Sequence, residues 1–380
     1  MERLKDNDSK VAASVCKAWH AAARGAVVAL PKAIKPEDIS SAVKVFPGLS
    51  ELIITYKDSQ FGIKNAAKLS YELVAVGQAP RLERLAFVGV VSAINALAMA
   101  VMRKQPRDGR PCLGRLVELR ILGTPSDDDP SGRRGDTIPA TKLCELGRGL
   151  PCLRMLALDN PQLDAPSKDP APLQHFVALR RLELICTPAD SIGRLARSAP
   201  QLDHLALTGC RIRDLGIIGH PTLLRLQVLE LTLCKALKSL PPGGGLSGLD
   251  TLVMNGCPDF LPALDLTLLQ GLRRMHIDGT DDALRYVWPC ISLRYLRVRD
   301  AEGIAIKPSI AKLTQLQTLD LGGDEALTTL PLGTADALLG ISSLNKVVLS
   351  AKSMQLEQNQ PELQRLQAAA RAGRIRVRSG

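Results

Sequence analysis

The chain has 380 residues, of which 46% are apolar and only 3% aromatic, so its core has to be filled by aliphatic side chains, leucine above all. That balance is unusual for a compact enzyme and ordinary for a stacked-repeat array. A net charge of +11, from 49 basic and 38 acidic residues, admits nucleic acid, an anionic membrane surface or an acidic protein as partner, but the two signs are mixed along most of the chain.

At the amino terminus Glu2, Arg3, Lys5, Asp6, Asp8 and Lys10 are followed by no apolar run of signal-peptide or membrane-span length. The expectation is a cytoplasmic or nuclear protein without membrane association. Nine cysteines, scattered without a CxxC pair, fit reduced thiols in such a compartment better than a disulfide framework. Val11, Val15, Trp19 and Ala22 then recur at helical spacing, with Ser9 to cap the start and Gly25 to end it. Residues 1–45 are therefore predicted to form an N-terminal helical cap on whatever follows.

From Pro47 onward one pattern, L-x-x-L-x-L, recurs twelve times. It begins at Leu49, Leu82, Leu116, Leu153, Leu179, Leu202, Leu226, Leu249, Leu272, Leu293, Leu316 and Leu344. From Leu179 to Leu316 the successive intervals are 23, 24, 23, 23, 21 and 23 residues, whereas the first three are 33, 34 and 37. Such self-similarity resembles the leucine-rich-repeat family over residues 46–380. The resemblance implies an α/β solenoid, a horseshoe with a parallel concave sheet and helices and loops on its convex side. The long early returns have room for helices such as Ser92 to Arg103, and Leu240-Pro241 and Leu330-Pro331 suit tighter loops. Pro361 to Ala372 reads as a closing helix stopped by Gly373, with Ile375 and Val377 adding a last strand.

Candidates for chemistry are absorbed by this framework. Cys210, Cys234 and Cys257 sit three residues after the sixth position of their repeats, where the family places Asn or Cys to hydrogen-bond the turn that leaves the strand. Gly243, Gly245 and Gly248 satisfy G-x-G-x-x-G, but the run leads straight into Leu249 with no helix to face a pyrophosphate. His20, His175, His204, His220 and His276 lack metal-ligand spacing, and Asp127, Asp128 and Asp129 lie among Pro and Gly in a solvated insertion. No catalytic residue, metal or cofactor is expected.

The segment Ser14-Val15-Cys16-Lys17-Ala18-Trp19-His20-Ala21-Ala22 also resembles the last third of an F-box, a Val-Cys-Lys-x-Trp stretch followed by small or apolar residues. F-box proteins often join that module to leucine-rich repeats. The resemblance implies binding of a Skp-type adaptor of a cullin ubiquitin ligase through Val15, Cys16 and Trp19, with the repeats selecting the substrate. The family's opening Leu-Pro and first helix need more than the thirteen residues before Ser14, which points to an earlier start or to a relic of the box. The alternative is a cytoplasmic scaffold of cytoskeletal or immune-receptor type without a ligase role. Nucleic acid comes third, because few aromatics are available for stacking.

In such an array, positions three, five and seven of each unit line the concave sheet side by side. Most are small or apolar, such as Ala157, Ala206 and Val253. Two neighbouring units instead offer Arg274, His276 and Asp278, then Tyr295, Arg297 and Arg299, with Asp320 on the next. Arginine and tyrosine are enriched at binding hot spots, and guanidiniums on adjacent strands fork onto carboxylates or phosphates. This patch is the predicted partner site, for a protein with an acidic or phosphorylated segment.

Overall fold

Alternation of apolar and polar residues makes each repeat's core segment a strand with one buried face. The computed structural model describes residues 28–29, 39–40, 49–55, 69, 73, 81–88, 93–101, 113–123, 137–163, 171–218, 220–238, 246–257, 269–278, 287–299, 304–323 and 328–379. The chain divides into two compact units, Met1–Gln201 and Leu202–Gly380.

The first unit holds, in chain order, β1 (Val28–Ala29), β2 (Leu49–Thr55), β3 (Arg84–Val88), β4 (Glu118–Leu122), β5 (Thr137–Ile138), β6 (Met155–Asp159), β7 (Gln162–Leu163) and β8 (Arg181–Ile185). β5 pairs with β7, and the others form a parallel ladder in sequence order. Helices α1 (Ala93–Val101) and α2 (Ala140–Gly149) occupy two of its long returns, and α3 (Ala189–Ser198) fits within a 23-residue repeat. β1 extends the ladder into the region that the sequence assigns to the helical cap, since Val28 pairs with Leu49.

The second unit holds β9 (His204–Thr208), β10 (Val228–Thr232), β11 (Thr251–Asn255), β12 (Arg274–Asp278), β13 (Tyr295–Arg299), β14 (Ile304–Ala305), β15 (Thr318–Leu321), β16 (Thr328–Thr329), β17 (Lys346–Leu349) and β18 (Arg376–Ser379). Here β14 pairs with β16, and the rest again form one parallel ladder in chain order. Its returns are short: α4 (His220–Arg225), α5 (Thr334–Gly340), α6 (Ala351–Gln355), and 3-10 turns at Leu215–Ile218, Pro308–Lys312 and Glu357–Asn359. The closing helix α7 (Gln360–Arg371) has Pro361 in its first turn, and Gly373 follows at φ +74°, a left-handed position. Each unit is thus an α/β leucine-rich-repeat solenoid.

Within the second unit register is kept residue for residue. Leu205, Leu229, Leu252, Met275, Leu296, Leu319 and Val347 stand side by side across seven strands, each at most 1% exposed. One backbone device indexes most steps. The carbonyl just before a strand accepts two amides of the next repeat: Asp203 from Gln227 and Val228, Gln227 from Asp250 and Thr251, Arg273 from Arg294 and Tyr295. Glu83 and Val117 do the same in the first unit.

Entry into the strands is fixed by a buried residue three places before the first motif leucine. Leu113, Leu150, Phe176, Leu246, Leu269, Cys290, Leu313 and Ile341 occupy that place, and each carbonyl accepts the amide of the motif leucine. Five strands exit through a left-handed residue: Asn160, Cys186, Gly209, Leu233 and Gly256 follow their strands with φ between +46° and +63°. The thiols of Cys210, Cys234 and Cys257, one residue beyond, are buried and donate to the carbonyls of Thr208 (3.5 Å), Leu207 (3.4 Å) and Leu231 (3.6 Å). These are the turn hydrogen bonds that the resemblance to leucine-rich repeats implies.

Two buried polar side chains tie the C-terminal elements together. The Asn359 amide, 0% exposed, accepts the Leu330 amide at 2.8 Å and donates to the Ser353 carbonyl at 2.8 Å. The Glu362 carboxylate, 2% exposed, accepts the amides of Gly333 (3.3 Å) and Ala335 (2.6 Å) at the start of α5. Gly248, the last glycine of the G-x-G-x-x-G match, has a packing role: a Cβ there would lie 2.7 Å from the Leu224 carbonyl oxygen. Gly243 and Gly245 lie outside the described residues.

Candidate partner-binding face

Every strand presents its odd positions away from the core, and the two units use that open face differently. In the first unit the charges are matched. Arg84 pairs with Glu51 (3.6 Å), Arg120 with Glu118 (2.6 Å) and Glu183 (3.3 Å), and Arg181 with Glu183 (2.6 Å). Such a face has little net field to offer a ligand.

In the second unit the pairing of β12, β13 and β15 brings all seven sequence-predicted residues onto one face. Arg274 stands beside Tyr295, His276 beside Arg297 and then Asp320, and Asp278 beside Arg299. The Tyr295 hydroxyl donates to Asp320 Oδ2 at 3.0 Å, and Arg297 Nε lies 3.4 Å from the same oxygen. The other oxygen of Asp320 accepts the Gly322 amide at 3.1 Å. Asp278 Oδ2 accepts the Gly256 amide at 2.9 Å. The His276 and Tyr295 rings are tilted against each other, 5.2 Å between centroids. Burial, together with Arg297 and Arg299, pushes the His276 imidazole below its ordinary pKa, which keeps it neutral at pH 7. Burial and Asp320 push the Tyr295 phenol up.

The same face continues beyond the residues singled out from sequence. Lys346 is in register with Thr318, Arg376 with Lys346, and Arg378 with Val348, which itself faces Asp320. From β12 to β18 the face therefore carries Arg274, Arg297, Arg299, Lys346, Arg376 and Arg378 against Asp278 and Asp320. The side chains of Arg274, Arg299, Lys346, Arg376 and Arg378 form no ion pair among the described residues. The signal for the last three was present in the sequence: counting one repeat further from Thr318 and Asp320 reaches Lys346 and Val348, and Ile375-x-Val377 places Arg376 and Arg378 outward.

Between β11, β12 and β13 a cavity of about 110 Å³ opens onto this face, lined by Asn255, His276, Ile277, Asp278, Arg297 and Arg299. Among the described residues no group of three or more His, Cys, Asp or Glu is placed to hold a metal ion, and no helix is long and apolar enough to cross a membrane. Val15, Cys16 and Trp19, the adaptor-binding candidates, lie outside the described residues, as do Asp127, Asp128 and Asp129.

No family model matches the chain, and no curated protein matches its sequence. Among solved structures it is similar to an internalin, InlF, from Listeria monocytogenes, at 16% identity over 96% of this chain and 94% of that one, with a TM-score of 0.44. A leucine-rich-repeat protein from Leptospira interrogans matches at 15% identity over 88% and 91%, with a TM-score of 0.31. The mouse RP105/MD-1 complex contributes a match at 14% identity over 80% of this chain and 59% of that one, with a TM-score of 0.37. At these identities and scores none of the three bears on a ligand of this chain.

Proposed function

We propose that the chain is a non-enzymatic protein-interaction module that binds an acidic or phosphorylated segment of a partner protein on the open face of β12, β13, β15, β17 and β18. The observation that carries this reading is the charge imbalance of that face. Both of its carboxylates are engaged by neighbouring donors, whereas most of its cations form no ion pair among the described residues. Strands about 4.8 Å apart array those cations over five neighbouring strands, a span that an extended segment of roughly five or six residues covers. Guanidiniums supply forked donors for carboxylate or phosphoryl oxygens, and Tyr295 adds a rigid contact.

The test is an array of acidic and phosphorylated peptides probed with the wild type and with the Arg274→Ala, Arg297→Ala, Arg299→Ala triple variant. Bound peptides are expected to be anionic, and the triple variant to lose them. Equal binding by the two proteins, or capture of neutral peptides only, overturns the assignment.

The finer reading is that the module is the substrate-recognition part of a cullin-type ubiquitin ligase, or descends from one. It is supported by the Val15-Cys16-Lys17-x-Trp19 stretch upstream of the repeats. Co-purification with a Skp-type adaptor, lost on Trp19→Ala, is the expected outcome. An adaptor that fails to bind the wild type favours the ligase-independent scaffold.

A further inference from the structure

The cavity among β11, β12 and β13 differs from the surface around it in that its lining gathers donor-bearing side chains from three strands around one concavity. Asn255 contributes an amide from β11, His276 an imidazole from β12, and Arg297 and Arg299 two guanidiniums from β13. Its 110 Å³ is the space of about four waters, enough to admit a phosphoryl group. We propose that this cavity is a phosphoryl subsite, which receives the phosphorylated side chain of a partner segment lying on the cationic face. The inference rests on the binding face proposed above and names the group that occupies its centre.

The surrounding charges are consistent with a dianion there. Asp278 is the one carboxylate in the lining, and one of its oxygens is already held by the Gly256 amide at 2.9 Å. Asp320, on the far side of Arg297, lies 3.4 Å from that guanidinium's Nε, which is buried and forms no hydrogen bond among the described residues. Arg299 has no ion pair among the described residues. A phosphoryl group would thus meet two guanidiniums, the arrangement that makes arginine pairs selective for phosphate over a single carboxylate.

His276 gives a readout that a general cationic surface would not. The groups around it are Arg297, Arg299 and Tyr295 on β13, Asp320 on β15, Glu230 on β10, and Arg274 and Asp278 on its own strand. The two arginines of β13 repel a proton on its ring. A bound dianion reverses that field, so binding at neutral pH is coupled to proton uptake by His276.

The experiment uses the full chain and three probes: inorganic phosphate, a Gly-phosphoserine-Gly peptide and a Gly-Glu-Gly peptide. Affinity is measured by calorimetry, and His276 is followed by the NMR titration of its ring protons. The phosphoserine peptide is expected to bind about tenfold or more tightly than the glutamate peptide, with Arg299→Gln weakening the first about tenfold and the second much less. The His276 titration should move to higher pH when the phosphoserine peptide or inorganic phosphate binds. Arg299 is exposed, so its substitution leaves the fold intact.

Equal affinities for the two peptides, or a His276 titration unmoved by a bound phosphopeptide, overturn the subsite. If both peptides bind and both are lost on Arg376→Gln, Arg378→Gln but neither on Arg299→Gln, the binding face stands and the cavity assignment falls. Loss of both readings is seen when no anionic probe binds at all.

Discussion

Removing the Glu362 carboxylate tests whether the C-terminal elements are held by buried electrostatics or merely stacked. Its oxygens are the acceptors for the amides of Gly333 and Ala335, at 3.3 and 2.6 Å, and the nearest cation, Arg365, is 3.7 Å away. A hydrogen bond to a charged acceptor contributes about 1.5–3 kcal/mol, so the short bond to Ala335 accounts for most of the effect and the longer one to Gly333 for less. The carboxylate also faces the positive end of α5, worth a few tenths of a kcal/mol to about 1 more. Glu362→Ala is thus expected to destabilise the second unit by about 3 kcal/mol, with Glu362→Gln intermediate because it keeps one acceptor. Urea unfolding gives the total, and amide exchange at Ala335 should accelerate more than at Leu252 in the core of the ladder. A loss under about 0.5 kcal/mol, or uniform acceleration, would refute the idea that this carboxylate organises α5.

Other perturbations follow from the turns and thiols. Leu233, 53% exposed, holds φ +54° without being glycine, so Leu233→Gly should raise stability by about 0.5 kcal/mol once the entropy cost of glycine is subtracted; a loss would mean that the exposed side chain packs. Gly248→Ala forces a Cβ to 2.7 Å from the Leu224 carbonyl oxygen and should lower the unfolding midpoint by about 1–3 kcal/mol equivalent; an unchanged midpoint would show that the backbone yields there. Burial pushes Cys290 up to about 12, and the Cys210 thiol beside it, then burial, push Cys234 to about 12. In iodoacetamide at pH 8 exposed Cys152 should be alkylated in the folded protein and these two only on unfolding. The folded state holds those protons more tightly than the unfolded chain, so stability should fall as pH rises above about 8.5; alkylation of Cys234 at the rate of Cys152 contradicts both statements.

Much of the fold was legible because the repeat writes each strand twice, once in its period of two and once in its spacing from the next. All twelve L-x-x-L-x-L segments are strands or the entry to one, and the turn role of Cys210, Cys234 and Cys257 follows from position alone. The closing helix and the strand after it were equally plain from Pro361, Gly373 and Val377. Less visible were features whose meaning depends on what lies a repeat away. The anchor three residues before each motif leucine is filled by residues as different as Cys290, Phe176 and Leu313, so no single letter marks it. Glu362 and Asn359 look like the polar side of a surface helix, and only the packing of α5 against α7 buries them. Strand β1 is two residues long and carries no periodicity to detect. At the candidate site, the seven residues from Arg274 to Asp320 were found by counting repeat positions, whereas the cavity beneath them depends on side-chain reach across three strands, which counting does not supply.

The carbonyl that accepts two amides at the head of most strands has a consequence for how such a chain tolerates change. Because alignment is set anew at each step, the length of the return before it leaves no trace in the next rung: Leu116 and Leu153 are 37 residues apart and Leu272 and Leu293 only 21, yet both intervals deliver strands paired one to one. Errors do not accumulate along the molecule. Residues inserted into a return are absorbed locally, while a single residue inserted inside a strand exchanges its leucines for its outward side chains. Variation in this protein is therefore channelled into the returns and into the outward positions of the strands, the places where a new partner can be acquired without re-solving the fold.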